Sequence, residues 1–281
     1  MALTAGFAQT DITPPLGTHK IGWLEDIIAE SVADPLFARA AVIQSDSDAI
    51  AFIQLDTLSI RWTQVADIRE RIERQHAFPG AHIMVAATHN HAGPAVANTG
   101  DVPRDEAYIE TMVARIVTMF GDALANAQHA EIGVASVAEG KLSHNRRTVM
   151  RDGLVSTHGS FDDPNSLFTE GPIDPEVAVL AARTPGGQFL GALVNFACHP
   201  THHGGDTAIS AGFPGVLARE MEARGCPVTL FLNGAAGNTS VSDPPRGGEQ
   251  ESMEAAGRTL AAAAARALQS MSFRRDVHLG A

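Results

Sequence analysis

Histidine is the side chain most often used as a metal ligand and as an acid or base near neutral pH. It occurs 12 times in this chain of 281 residues, and two of its clusters follow apolar runs. In the first, Val85-Ala86-Ala87 leads through Thr88 to His89-Asn90-His91, and Gly93-Pro94 then turns the chain away. Residues i and i+2 of a strand project to one face. Both imidazoles can therefore point at one ion at the strand's C-terminal end, where α/β sheets bind ligands. A random chain with this many histidines would contain about half a His-x-His pair, so a second cluster carries weight. It follows Ala192–Cys198, another apolar run, as His199-Pro200-Thr201-His202-His203-Gly204-Gly205-Asp206. Imidazoles with a carboxylate, leaving one position open, are the usual ligand set of a catalytic zinc. The candidate ligands are His89, His91, His199, His203 and Asp206. At least one of His202 and His203 reads as part of a solvated polar loop. The set also suits other divalent transition metals.

A third segment, Thr229-Leu230-Phe231-Leu232-Asn233-Gly234-Ala235-Ala236-Gly237-Asn238-Thr239-Ser240, runs from a strand into a Gly-rich turn ending in hydroxyls. Glycines there let backbone N–H groups approach an anion or oxyanion, though an ordinary tight turn reads the same way. The Lys of a phosphate-binding loop is missing. Ser240 is a candidate nucleophile without a Gly-x-Ser-x-Gly elbow. Arg146, beside Asn145 and Arg147, can hold a carbonyl or carboxylate oxygen. Asp56, ending the run Ala51–Leu55, can orient a ligand histidine.

The elements that must position these residues alternate in type. Phe37–Gln44 and Ala49–Leu55 read as a hairpin across the polar Ser45–Asp48. Apolar spacing predicts helices over Thr63–His76, Asp105–Ala127, Pro214–Arg224 and Ser252–Met271. Strands are expected at His82–Ala87, Ile132–Val137, Val177–Arg183, Phe189–Phe196 and Val228–Leu232, with another beginning at Val277–Gly280. The expectation is a single α/β layered domain over residues 1–281, with a large mixed central sheet flanked by helices and no internal repeat. Residues 143–175 are polar, rich in Gly, Asp, Pro and Ser, and read as an active-site loop or lid.

Lys plus Arg number 20 and Asp plus Glu 32, giving a net charge of −12. That balance argues against a basic face for nucleic acid or an anionic membrane. With 44% hydrophobic residues the chain can bury a core, yet no apolar run spans a bilayer. The start has no signal-peptide pattern, and Cys198 and Cys226 make no disulfide framework. The expected setting is cytoplasmic. A homo-oligomer covering an exposed sheet edge is open.

In this order, the segments resemble the N-terminal catalytic domain of the neutral/alkaline non-lysosomal ceramidase family. The resemblance rests on Gly6–Pro15, Ala87–Pro94, Asn145-Arg146, Ile173–Leu180, Asn195–Thr201 and Asn233–Ser240. It implies an α/β domain and zinc-dependent amide hydrolysis, with His89 and His199 as zinc ligands and His91 and Arg146 at the substrate amide. Ser240 falls where the family's Gly-Asp-x-Ser places a candidate nucleophile, with Asn238 replacing the Asp. The family completes its zinc site with a Glu and a Tyr from beyond this chain's last residue, and the only tyrosine here, Tyr108, lies in the long helix. Three expectations follow: a short variant recruiting His202, His203 or Asp206, a truncated product, or a chain that has lost its metal. The expected activity is zinc-dependent hydrolysis of an amide or ester in a small or N-acyl substrate. The rivals are an inactive binding or assembly protein and metal-free hydrolysis by Ser240 and His91.

Overall fold

The architecture was read from a computed structural model that describes all residues except 1, 2, 24, 46, 47, 248 and 281. In the first half, β1 (Thr4–Asp11), β2 (Phe37–Gln44) and β3 (Ala49–Leu55) run antiparallel. Ser45 and Asp48 close the β2–β3 hairpin through backbone and side-chain hydrogen bonds; residues 46 and 47 of that turn lie outside the described residues. Helix α1 (Trp62–His76) then crosses over so that β4 (Ile83–Ala87) pairs parallel with β3. Helix α2 (Glu106–Ala125) leads to β5 (Gln128–His129), which pairs with β1. The sheet order is β4-β3-β2-β1-β5.

The second half repeats this plan. Antiparallel β6 (Glu131–Ala138), β7 (Glu176–Arg183) and β8 (Phe189–Phe196) are followed by α3 (Phe213–Glu222). Strand β9 (Thr229–Asn233) lies parallel to β8, and after α4 (Met253–Ser270) the short β10 (Phe273–Arg274) closes on β6. The order is β9-β8-β7-β6-β10, a topological duplication that no repeated sequence motif announces.

These are two five-stranded sheets, each mixed, and not one large central sheet. Alternate residues explain the layering. Ala38, Ala40 and Val42 of β2 face Ile68 of α1 and Met112 and Phe120 of α2. Ala41 and Ile43 face the other way, joining Phe7 to Leu193 and Leu230 of the second sheet. Val177, Val179 and Val194 pack on Leu217 of α3 and Leu260 of α4. The order through the molecule is helices, sheet, sheet, helices. A strand covered on both faces reads as apolar throughout whether its cover is a helix or a second sheet, so the sequence pattern could not separate the two cases. At the seam a Cβ on Gly191 would lie 2.3 Å from the Phe7 ring, which is why β8 carries a glycine there.

Residues 143–175 are not structureless. Arg147–Met150, Val155–Thr157 and Ser166–Thr169 form a small antiparallel sheet, and His144–Asn145 bridges Thr239–Ser240. The expected strand at Val277–Gly280 is absent, because the chain pairs with β6 earlier, at Phe273–Arg274. Among the described residues no helix is long and apolar enough to cross a membrane.

Candidate metal centre

Strand β4 ends at Ala87, so His89 and His91 do not project from a strand. Thr88 and His89 still donate backbone N–H groups to Leu55 and Thr57, extending the parallel edge. His89 then adopts φ 67°, a left-handed conformation uncommon outside glycine. Asn90 fixes the turn from inside: its amide donates to the Asp56 carbonyl and its Oδ1 accepts from Ala92 N–H. This turn, rather than strand alternation, brings the two rings together. His199 follows β8 and meets them, with the His91 N–H donating to the Pro200 carbonyl.

Each ring has one nitrogen on a backbone carbonyl. Nδ1–H of His89 donates to Leu58 (2.8 Å), that of His199 to Ala236 (3.1 Å), and that of His91 to Gly22. A carbonyl only accepts, so these partners assign the proton to Nδ1 and leave a lone pair on each Nε2. The three Nε2 atoms converge: His91 lies 2.8 Å from His199 and 3.4 Å from His89. The donor atoms of all three lie within 4.8 Å of one another. Lone pairs facing each other cannot hydrogen-bond, and a shared cation resolves the arrangement. Burial pushes the His91 imidazolium down to about 4, helped by His89, and that of His199 to about 3. Both are neutral at pH 7, the form that binds metal. His89, His91 and His199 can therefore hold a metal ion.

Arg146 is held beside His199, because the carbonyls that bind them, Gly237 and Ala236, are neighbours in the chain; its charge also helps to lower the His91 and His199 pKa values. Its Nη2 and Nε donate to the Gly237 carbonyl at 2.9 and 3.3 Å, and its Nη1 lies 3.1 Å from His158 Nε2. The Gly-rich turn thus presents carbonyls to His199 and Arg146, where the sequence suggested N–H groups for an anion. Ser240 is buried in the bridge with His144, and its Oγ accepts from the Ser242 N–H. His203 and Asp206 stand outside the converging trio: they bond each other at 2.7 Å, and Lys20 Nζ donates to both their carbonyls. His202 is bonded to the Glu251 carbonyl. The Asp56 carboxylate reaches no histidine; it accepts from the Phe37 N–H, Arg39 and Gln54. Orientation of the rings falls instead to the carbonyls of Gly22, Leu58 and Ala236. Sequence reasoning missed Gly22 and Leu58, because a backbone oxygen carries no residue signature.

Among curated proteins none matches the chain. Solved structures that share its fold include neutral ceramidase from Pseudomonas aeruginosa and a ceramidase complexed with C2. Each is 22% identical with a TM-score of 0.78, and each match covers 96% of this chain. The matches cover 45% and 44% of those chains, so this chain spans less than half their length. In sequence, residues 4–232 match the N-terminal region of the neutral/alkaline non-lysosomal ceramidases, and the chain belongs to that family.

Proposed function

We propose that this protein is a zinc-dependent hydrolase that cleaves an amide or ester bond of a small or N-acyl substrate. The observation that carries the reading is the convergence of three Nε2 atoms whose Nδ1 partners are all carbonyls. Three protein ligands with an open position are the pattern of a catalytic zinc, which when bound polarises a carbonyl and acidifies a water. His89, His91 and His199 hold the ion. Arg146, braced on Gly237, keeps further N–H groups on Nη1 and Nη2 with which to meet a substrate oxygen and stabilise charge developing there. A nucleophilic Ser240 has to be uncovered, since its side chain is buried, and Ser240→Ala measures that role.

Elemental analysis of the purified protein and its histidine variants tests the reading. About one zinc per chain is expected, lost in His89→Ala and in His199→Ala together with hydrolysis of an amide and ester panel. Full metal content and turnover in both variants would overturn it. His91→Ala separates two roles: lost metal makes His91 a ligand, whereas retained metal with lost turnover moves it to the substrate. Bound metal without turnover on any substrate would favour a binding role.

A further inference from the structure

One buried cation is not accounted for by this reading. Lys20 is 2% exposed, the charged member of the largest fully buried side chains. It lies in the short strand His19–Ile21, within the connection between β1 and β2. Its ammonium donates to the carbonyls of His203 (2.8 Å) and Asp206 (2.5 Å) and stands 3.7 Å from the Asp206 carboxylate. Two of its three N–H groups are thus hydrogen-bonded, and the carboxylate balances the charge. Lys20 and Ile21 also pair with Pro94 and Gly93, just after the first histidine turn. Two residues on from Lys20, the Gly22 carbonyl takes Nδ1 of His91. The indole of Trp23 then lies over Gly204 and Gly205, where added Cβ atoms would stand 3.0 and 3.2 Å from it. Residues 19–23 therefore touch the turn carrying His91 and the loop that follows His199.

We propose that Lys20 is a positioning residue: by fastening residues 19–23 to the His203–Asp206 loop, it sets His91 against His199 for metal binding. The proposal rests on the metal reading above. Met in place of Lys20 keeps much of the side chain's length but removes the ammonium from the His203 and Asp206 carbonyls, and the loop that follows His199 is then free to drift from the strap that holds His91.

The test uses the protein with Trp62→Phe, which removes an 80% exposed indole and leaves Trp23 as the sole tryptophan. Cobalt binding is followed by its visible spectrum. Lys20→Met is expected to weaken cobalt binding roughly 10- to 100-fold, alter the spectrum and shift Trp23 emission to the red. Lys20→Arg, which restores a cationic donor, is expected to recover part of each signal. A folded Lys20→Met protein with parental cobalt affinity and spectrum would overturn the proposal while leaving the metal reading intact. No cobalt on the parent would overturn both. A second measurement needs no change at Lys20. Zinc binding should change Trp23 emission in the Trp62→Phe protein, and unchanged emission with zinc bound would also overturn the proposal.

Discussion

Asp56 and His199 lie at the same end of the two halves, one and three residues past their strands. Each lies just beyond the third strand of its half, the strand that pairs in parallel with the one a crossover helix delivers. Asp56 is fully buried and closed off by Arg39, Gln54 and the Phe37 N–H. His199 is buried too, but its Nε2 faces two other imidazoles. The long connections between first and second strands, residues 12–36 and 139–175, also correspond, and both reach the site: one brings Gly22 and the other Arg146. The halves share a scaffold and differ in how they satisfy its polar end. Beyond its third strand the first half closes on Asp56, whereas the second ends in a ring whose Nε2 meets His89 and His91 of the first half and, with them, calls for a cation.

Asp56→Ala should have the largest effect. It strands the buried Arg39 guanidinium, whose side chain is 4% exposed, and removing one partner of such a pair costs about 3–5 kcal/mol. Denaturant unfolding measures it. A loss under about 1 kcal/mol, the range of exposed ion pairs, would mean that Arg39 finds other partners and that the first half is not closed as described.

The histidine end should gain its stability from the ion. At zinc concentrations 100-fold above the dissociation constant, binding to the folded state alone adds about 2.7 kcal/mol. Thermal unfolding with and without zinc should show that gain in the parent and none in His199→Ala. An equal shift in both would place the zinc elsewhere and break the contrast between the two ends.

The seam between the sheets comes next. Gly191→Ala forces its new Cβ onto the Phe7 ring at 2.3 Å before relaxation, and overpacking of this kind costs about 1–3 kcal/mol. An unchanged unfolding midpoint would mean that Phe7 moves aside without penalty and that the two sheets are loosely joined.

What the sequence revealed follows from which groups carry identity. The apolar spacings of α1, α2 and α4 and the runs of β2, β3 and β8 are side-chain patterns, and they predicted elements close to those observed. Strand β1 escaped notice because packing demands small residues there: a Cβ on Gly6 would lie 2.0 Å from the Ala123 carbonyl of α2. Ala5, Gly6 and Ala8 meet that demand and erase the strand signal. In the site, His89, His91 and His199 were visible as residue types at strand ends. His203 and Asp206 were equally visible, but their own hydrogen bond and the Lys20 ammonium occupy them. The turn at His89 and the three orienting carbonyls are backbone features. No residue name announces them.

The smallest predicted effects ask whether the two halves unfold together. The corresponding helices α2 and α4 are both capped by side chains, Asp105 accepting from the Tyr108 N–H and Ser252 from the Ala255 N–H. Replacing either cap with Ala costs about 1 kcal/mol. The core shared by Phe7, Ile43, Leu193 and Leu230 belongs to neither half alone, so opening one sheet exposes the inner face of the other. Asp105→Ala and Ser252→Ala should therefore each lower the midpoint of a single transition, seen alike by far-UV circular dichroism and by tryptophan emission. Two transitions, each shifted only by the cap in its own half, would show that the duplicated units fold independently. The metal centre would then be the principal tie between them, because His89 and His91 come from one unit and His199 from the other.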